Sequence, residues 1–418
     1  MNILHELVRI NQVLFVYISF TMKNSDFALF RKKACIYVYT SFNIANKFIN
    51  EEKIMSEHIY NIPTGVLTLN IDSGNPDSLF RVEARNNPKR GFLFVSKVLG
   101  KHIAVNAHQM DTIYSCLAEK AILPLDRNKK TLVIGMAETA TLLGFGVYSK
   151  LKNFFSDKSL ISYLQSTRYP AENALPFEEA HSHAPSQFIH LNNPEQYEQV
   201  VLVDDELSTG NTFVGFEKIL TAEMKNVSKI TWVCLTDFRK SEIKATQKPS
   251  ADTTSLLTGE WSFEWKKRPE SLPSACENIN SVKADDIHHA GRYNTINQDS
   301  YNLENHVIET IKAIQPKGRV LVVGSGEFMP LPYILLEHIK ESYAVSDIFF
   351  QATTRSPALM KGLSWECDHY KEGVTQYIYN YDRADYDTVL LCVETESNDI
   401  VKRMAEDMDA EIISWKKQ

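Results

Sequence analysis

The segment Val200–Met224 constrains the fold more than any other part of the chain. Val200–Val203 is a run of four apolar residues rich in β-branching, which predicts a buried parallel strand. Asp204 and Asp205 follow the strand, then come small polar residues, and Phe213–Met224 has the apolar spacing of an amphipathic helix. A strand, a small-residue turn and a helix N-terminus predict an anion site, because unpaired N–H groups converge at the positive end of the helix dipole.

The acidic pair before this turn indicates what else the ligand carries. Asp204 and Asp205 would repel an anion, so they suit a neighbouring sugar diol or the water shell of a magnesium ion. A ligand with a phosphate, a diol and a metal in that order is a ribose 5-phosphate derivative. The alternative is an ordinary strand-to-helix turn with an acidic end.

The run Asp204–Thr212 also resembles the phosphoribosyl pyrophosphate (PRPP) signature of type I phosphoribosyltransferases. The resemblance implies that Asp204 and Asp205 act in catalysis by holding the ribose hydroxyls and, through water, Mg²⁺. It implies that the 5-phosphate is bound by Ser208, Thr209, Gly210, Asn211 and Thr212. Glu206 departs from the pattern, since this position is usually aliphatic in the family. We expect Glu206 to be an acid or base near the acceptor, or else a structural glutamate that faces outward.

A second strand-to-helix turn, Gly135–Ala140, lies upstream. In type I phosphoribosyltransferases the equivalent loop binds pyrophosphate through backbone N–H groups, and Gly135 and Ala137 are small enough for that close approach. The resemblance therefore assigns pyrophosphate binding to Met136, Ala137, Glu138 and Thr139. A plain strand-to-helix turn is the alternative.

Basic residues are concentrated between residues 85 and 102, namely Arg85, Lys89, Arg90, Lys97, Lys101 and His102. A run of charges is usually a solvated face, but a substrate with several negative charges needs converging cations. We expect Arg90 and Lys101 to bind PRPP.

The segment Gln165–Phe188 is polar and contains His and Pro, which predicts a long functional loop. Type I phosphoribosyltransferases close such a loop over pyrophosphate, which brings in a cation and excludes water. Arg168 is the candidate cation. His181 and His183 have no third ligand nearby, so contact with pyrophosphate or closure of the loop is favoured over a metal pair.

The chain of 418 residues predicts two domains and an extension. Alternating strand and helix patterns predict an α/β fold in which a type I phosphoribosyltransferase-like parallel sheet is flanked by helices, followed by a smaller Rossmann-like α/β domain. The predicted divisions are an extension over 1–54, a phosphoribosyltransferase domain over 55–265, a linker over 266–286 and a second domain over 287–418. Met55 is a candidate initiator, which would make 1–54 an upstream extension; the alternative is an N-terminal arm.

In the second domain, two turns follow neighbouring predicted strands, and the carboxyl ends of parallel strands are where α/β proteins bind ligands. They predict an anion site, separate from the PRPP site, made of Gly324, Ser325, Gly326, Thr354, Arg355 and Ser356. Arg355 is alternatively a helix-capping or ion-pair residue.

Thr354–Pro357 also resembles the motif of the TRSP domain, which follows an orotate-phosphoribosyltransferase-like domain in bacterial proteins. The first half matches that partner through Asn87–Arg90, Gly135–Ala140 and the Asp-Asp-Glu run, so the resemblance covers about Asn61–Glu394. Such proteins are similar to those encoded in tellurite-resistance and stress-response neighbourhoods, suggested to make a nucleoside-like metabolite.

The resemblance implies a Mg²⁺-dependent phosphoribosyltransferase that acts on PRPP and a base-like small molecule, as a homodimer. Two alternatives stay open: a non-catalytic PRPP or nucleotide sensor on the same fold, and a TRSP domain that recruits a pathway-neighbour protein. The acceptor would be selected by a hood formed from Ile59–Asp77 and Trp261–Trp265.

Net charge and cysteine content indicate which classes of partner and which cellular compartment are expected. The net charge of −7 argues against broad nucleic-acid or anionic-membrane binding, and no apolar run is long enough to span a bilayer. The six cysteines are scattered without a C-x-x-C pair, which favours a reduced, cytoplasmic protein.

Overall fold

The computed structural model describes residues 55–85, 87–169, 172–178, 186–247, 251–268, 288–297, 303–355, 360–365, 375–395 and 398–416. The expected extension 1–54, most of the expected linker, and the candidates His181, His183 and Ser356 lie outside these residues. From Met55 onward the described residues belong to one compact unit, so both expected domains pack within a single body.

The secondary structure alternates between strands and helices along most of this body. The strands are β1 (Ser56–Ile62), β2 (Gly65–Ser73), β3 (Phe80–Ala84), β4 (Phe92–Ser96), β5 (Val105–Asn106), β6 (Thr131–Gly135), β7 (Ile161–Gln165), β8 (Leu175–Glu178), β9 (Ser186–Ile189), β10 (Gln199–Leu207), β11 (Lys229–Asp237), β12 (Ala251–Trp265), β13 (Gly318–Gly324), β14 (Val345–Ala352), β15 (Gly362–Trp365), β16 (Gln376–Tyr379), β17 (Thr388–Val393) and β18 (Glu411–Ser414). The helices are α1 (Pro76–Leu79), α2 (Ala107–Ala121), α3 (Thr141–Leu151), α4 (Asn211–Glu223), α5 (Ser241–Thr246), α6 (Asn305–Ile314), α7 (Pro330–Ser342) and α8 (Asp399–Met408).

The larger sheet has the strand order β1-β2-β12-β11-β10-β6-β7 in the described part of the chain. Its β7, β6, β10, β11 and β12 are parallel, while β2 pairs antiparallel with both β12 and β1. Val200–Val203 of β10 is fully buried, as the apolar run predicts for a central strand covered on both faces. The α/β class with a parallel sheet flanked by helices is confirmed.

Two segments differ from the expectations. The segment Gln165–Phe188, expected to be a loop, contributes the end of β7 and a hairpin of β8 and β9. Strand β12 is one continuous strand of 15 residues, shifted in register at Thr258/Gly259, and it joins the parallel and antiparallel parts of the sheet. Pattern reasoning missed both because their polar positions interrupt the apolar periodicity.

The smaller sheet is built from both halves of the chain. Its described order is β18-β17-β13-β14-β5, with the first four strands parallel. Strand β5 comes from the first half and pairs antiparallel with β14, so that Asn106 lies opposite Phe349. The backbone N–H of Ala352 also donates to the carbonyl of Gly100. These bonds bring the carboxyl end of β14 beside the basic segment of the first half.

Three cysteines fall in the described residues, and Cys116, Cys234 and Cys392 are buried free thiols. Cys234 and Cys392 lie within β11 and β17, where the sequence predicts small buried side chains. Among the described helices, none has the length and apolar character needed to cross a membrane.

Candidate active site

A cavity of about 230 Å³ opens where the carboxyl ends of β6, β10 and β14 meet. Fifteen of the predicted site residues line it: Asp204, Asp205, Glu206, Arg168, Ser208, Thr209, Gly210, Thr212, Ala137, Glu138, Thr139, Arg90, Lys101, Thr354 and Arg355. The predicted residues Met136, Asn211, Gly324, Ser325 and Gly326 are described but are not part of its lining.

The turn between β10 and α4 forms one end of this cavity. Gly210 has φ +73°, a left-handed conformation that favours glycine, and it precedes the first residue of α4. The backbone N–H groups of Ser208, Thr209 and Gly210 donate to no other group in the described residues. With the unpaired N–H groups of the first turn of α4, they form the geometry that binds a phosphate.

This turn is held in place by side chains that follow α5 and β11. The side-chain amide of Gln247 donates to the carbonyl of Thr209 at 2.7 Å. Arg239 forms a buried ion pair with Asp237 at 2.8 Å and lies at hydrogen-bond distance from Gln247. The loop is therefore held by side chains that the sequence analysis did not identify.

The second turn, Gly135–Ala140, faces the same cavity, but not all of its N–H groups are available. Met136 N donates to the carbonyl of Val203 at 3.0 Å, and Ala137 N donates to Ser166 Oγ at 2.7 Å. In the described part of the chain the N–H groups of Glu138 and Thr139 have no acceptor. Of the four residues expected to bind pyrophosphate, only Glu138 and Thr139 thus have backbone N–H groups that are available to an anion.

The turn is fixed in place by the start of the next loop. Ser166 Oγ donates to Gln187 Oε1 at 2.5 Å, and Gln187 Nε2 donates in turn to the carbonyl of Ala137 at 2.8 Å. The peptide bond between Ala137 and Glu138 is cis. Ser166 and Gln187 lie in a segment expected to be a loop, so no sequence signal marked them as positioning residues.

Lys101, expected to bind PRPP, is engaged by the protein itself. It is only 1% exposed, and its ammonium donates to Glu138 Oε1 at 2.5 Å and to the carbonyls of Thr353 and Gly326 at 3.1 and 3.2 Å. Burial lowers the pKa of Lys101 and the carboxylate opposes this effect. Three acceptors match the three donors of a charged ammonium, so the lysine is charged and saturated. It joins the two halves and does not serve as a direct phosphate ligand in this arrangement.

Glu138 is a buried carboxylate held by cations from both halves. Its Oε1 pairs with Lys101, and its Oε2 lies 3.4 Å from Arg355 Nε. Burial alone would raise the pKa of Glu138, but Lys101, Arg355 and Arg168 outweigh burial and hold this pKa well below its usual range. The side chain is therefore ionised.

Arg90 and Glu206 pair with each other at a third part of the cavity wall. Arg90 Nη2 lies 2.9 Å from Glu206 Oε2, and both side chains are mostly buried. The guanidinium of Arg90 also lies over the rings of Phe92 and Phe94, 4.3 and 5.0 Å from their centroids. Glu206 is therefore not an outward-facing glutamate: it forms an ion pair beside an aromatic wall.

Arg168 and Glu327 connect the predicted closing segment to the second half. The backbone N–H of Arg168 donates to Glu327 Oε1 at 2.9 Å, and Thr167 Oγ1 donates to Glu327 Oε2 at 2.7 Å. Glu327 also pairs with the buried Arg292, which pairs in turn with Glu394. Glu327 lies beside a predicted turn, whereas Arg292 follows the expected linker, where no periodic pattern marks a buried residue.

Thr354 and Arg355 line the same cavity as Asp204 and Glu138. This differs from the expectation of a separate site in the second domain. The reason is the pairing of β5 with β14, which places the end of β14 against the first half. Gly326 contributes through its backbone, accepting from Lys101 and donating its N–H to Thr353 Oγ1 at 2.8 Å.

His102 lines the cavity but is not one of its cations. The side chain is buried, and burial with the charge of Lys101 lowers the pKa of His102 to about 4. The imidazole is therefore neutral at pH 7.

Two family models match the chain in succession. The first is described as phosphoribosyl transferase and matches residues 79–260, which include both turns and the acidic pair. The chain carries a phosphoribosyltransferase domain. The second is described as the TRSP domain C-terminal to that domain and matches residues 289–407. The order of the two matches agrees with the order predicted from the motifs.

Solved adenine phosphoribosyltransferases are similar to part of the chain. The protein from Rhodothermus marinus is 13% identical over 44% of this chain and 95% of its own, with a TM-score of 0.30. The protein from Thermoanaerobacter pseudethanolicus is 21% identical over 44% and 96%, with a TM-score of 0.30. That from Trypanosoma brucei, in complex with AMP, pyrophosphate and ribose-5-phosphate, is 12% identical over 44% and 77%, with a TM-score of 0.32.

Assignment of the phosphoribosyltransferase domain rests on the family model. No protein with a curated description matches the chain.

Proposed function

We propose that the protein transfers the ribose 5-phosphate group of PRPP to a nitrogen of a base-like acceptor, with release of pyrophosphate, in the synthesis of a nucleoside-like metabolite. The observation that carries the proposal is that one cavity of the phosphoribosyltransferase domain is lined by two backbone turns with available N–H groups and by an acidic pair. This set of groups suits a ligand that carries both phosphate groups and a diol.

In this proposal the turn Ser208–Thr212 binds the 5-phosphate, because its N–H groups and the start of α4 favour an anion. Asp204 and Asp205 orient the ribose hydroxyls. Glu138 and Thr139 bind pyrophosphate through their N–H groups, and Arg168 adds a positive charge on the same side. The roles of these residues agree with the resemblance, except that Lys101 supports the site from within the protein.

Magnesium is the metal that the family implies. The residues that the structure describes could hold it together with the substrate, but not by a cluster of protein ligands alone. The described residues contain no cluster of three His, Cys, Asp or Glu side chains suited to a metal ion. Two carboxylates, Asp204 and Asp205, line the cavity, and Mg²⁺ is commonly held by one or two carboxylates together with waters and substrate phosphates. Bound in this way with PRPP, the ion would neutralise charge on the leaving pyrophosphate.

The transfer forms a bond from the acceptor nitrogen to the anomeric carbon of PRPP and breaks the bond from that carbon to pyrophosphate. The positive charge that develops on the sugar requires no protein nucleophile. The residues of the cavity therefore act by fixing both reactants and excluding water. Phe94 and the Arg90–Glu206 pair form the wall where we place the planar acceptor.

The proposal is tested by mixing the full chain with PRPP, Mg²⁺ and a panel of nucleobases and related heterocycles. We expect pyrophosphate and a ribosylated acceptor to form in equal amounts, and EDTA to stop the reaction. A protein that binds PRPP in calorimetry but releases no pyrophosphate with any acceptor would instead be the PRPP sensor considered from the sequence.

A further inference from the structure

Arg355, a residue of the second half, lies in the cavity assigned to PRPP. Its side chain is 6% exposed. The neighbouring residue Thr354 lines the cavity as well. The second half therefore contributes directly to the wall of a cavity whose other sides come from the phosphoribosyltransferase domain.

The position of Arg355 within the cavity is next to the turn Gly135–Ala140. Arg355 Nε lies 3.4 Å from Glu138 Oε2, and Glu138 is one of the two residues whose N–H groups are available in that turn. On its other side, Arg355 Nη2 lies 3.8 Å from Glu327 Oε1. Arg355 is thus beside the turn that we assign to pyrophosphate.

Cations outnumber carboxylates in the ion-pair network that contains Arg355. Arg355 Nε donates a long hydrogen bond of 3.4 Å to Glu138 Oε2, and the 3.8 Å between Arg355 Nη2 and Glu327 Oε1 exceeds hydrogen-bond length. Glu138 is shared with Lys101, and Glu327 is shared with Arg292. Within this described network, the four cations Lys101, Arg168, Arg292 and Arg355 face the three carboxylates Glu138, Glu327 and Glu394.

We infer that Arg355 binds the pyrophosphate group of PRPP, so that the TRSP half completes the active site of the phosphoribosyltransferase half. The inference rests on the proposed function. Guanidinium is suited to the role, because its planar set of donors matches two phosphate oxygens at once. Glu138 and Glu327 are positioning residues that keep this guanidinium at the cavity wall.

The test compares Arg355→Gln and Arg355→Lys with the unaltered protein, using calorimetry with PRPP, pyrophosphate and ribose 5-phosphate in the presence of Mg²⁺. We expect Arg355→Gln to weaken the binding of pyrophosphate and of PRPP roughly 10- to 100-fold, which is the effect of losing a charged hydrogen bond. Ribose 5-phosphate should bind within about twofold of its normal affinity, and Arg355→Lys should recover part of the loss. Arg319→Gln is the matched control, since Arg319 is an exposed arginine of the same half and all three affinities should be unchanged.

A purely structural Arg355 would give a different pattern, with equal loss for all three ligands or no loss for any, and either result would overturn the inference. Hydrogen exchange on the unaltered protein provides a second measurement if the variants do not fold. Pyrophosphate should slow exchange in residues 352–355 and ribose 5-phosphate should not; equal protection by both would also overturn it. If the unaltered protein binds neither PRPP nor pyrophosphate, the proposed function itself fails.

Discussion

Individual residues of the cavity are expected to have different chemical roles, which single substitutions can test. Asp205 follows the buried part of β10, lines the cavity and is assigned to the ribose hydroxyls and the metal. We expect Asp205→Asn to lower kcat/KM for PRPP by roughly 100-fold or more, the scale of loss for a group that stabilises developing charge. The measurement is a steady-state assay with Mg²⁺ titration.

The matched control for Asp205 is Asp399→Asn, which makes the same chemical change in a side chain that is 98% exposed. This control should keep normal kinetics. A folded Asp205→Asn protein with the same Mg²⁺ dependence as the unaltered protein would remove the central assignment.

The lowered pKa of His102 predicts how the stability of the protein depends on pH. Its pKa is lowered to about 4 in the folded protein, whereas an unfolded histidine titrates near 6.5. Below pH 6.5 the unfolded chain takes up a proton that the folded protein does not, so this contribution to stability is present above pH 6.5 and lost as pH falls toward 4. Over this window the loss is about 3 kcal/mol.

The measurement is urea unfolding of the unaltered protein and of His102→Gln at pH 7 and pH 4.5. The unfolding free energy of His102→Gln should fall less between these two pH values. Parallel pH profiles would mean that His102 is protonated as easily inside the protein as outside.

Residue identities alone predicted only part of this chemistry. The acidic pair and the small turn residues were found because their order along β10 and α4 has a local physical meaning. The partner of Glu206 was not found, because Arg90 is 116 residues away in sequence and only the sheet brings the two together. For the same reason Lys101 was expected to contact ligand, although it contacts Glu138 and two carbonyls.

At the scale of elements, two glycines can be compared: Gly210 in the turn before α4 and Gly215 within α4. Gly210 has a positive φ, and a Cβ there would lie 2.7 Å from Gln247 Oε1 and 3.0 Å from Arg239 Cδ. We expect Gly210→Ala to destabilise the protein by about 1–2 kcal/mol, the cost of a left-handed conformation for a residue with a Cβ. It should also weaken ribose 5-phosphate binding.

The control is Gly215→Ala in the same helix, where a Cβ would meet no atom within 4 Å. This change should stabilise the helix by about 0.5–1 kcal/mol. Thermal unfolding and calorimetry with ribose 5-phosphate measure both effects. If both variants bind ribose 5-phosphate normally, the turn has only a structural role.

Elements with regular apolar patterns were predicted well. The run Val200–Val203 forms the buried part of β10 as predicted, because a short, buried, β-branched run admits few other structures. Helix α4 begins two residues earlier than its apolar pattern. Strands β8, β9 and β12 were not predicted, since hairpins and sheet-joining strands depend on their partners more than on their own periodicity.

For the whole molecule, the buried pair Lys101–Glu138 joins the halves, and removing one partner should cost stability because the other charge stays buried. Lys101→Met leaves the buried carboxylate of Glu138 without the ammonium that balances its charge, and it should destabilise the protein by about 3–5 kcal/mol. Adding Glu138→Gln should recover part of this loss, so the double variant should be more stable than the sum of the single changes predicts. Urea unfolding of the four proteins measures the coupling.

The matched control is the exposed pair Lys312–Glu309, with side chains 59% and 71% exposed. The same substitutions there should change stability by less than about 1 kcal/mol. Additive effects at Lys101 and Glu138 would show that the two side chains do not interact.

The overall class and the order of the two halves followed from the sequence, but their shared cavity did not. The prediction of separate sites treated each sheet by itself. The decisive feature was β5, a strand of two residues that is too short to leave a periodic signal and yet places Thr354 and Arg355 opposite Glu138.

The same short strand has a consequence for how the chain is made. Val105–Asn106 leaves the ribosome more than two hundred residues before its partner Phe349–Phe350. At typical rates of synthesis this interval lasts roughly 10 to 50 seconds. Until residues 349–350 have been made, the first half lacks the strand that pairs with β5. The cavity wall that Thr354 and Arg355 contribute can therefore form only late in synthesis.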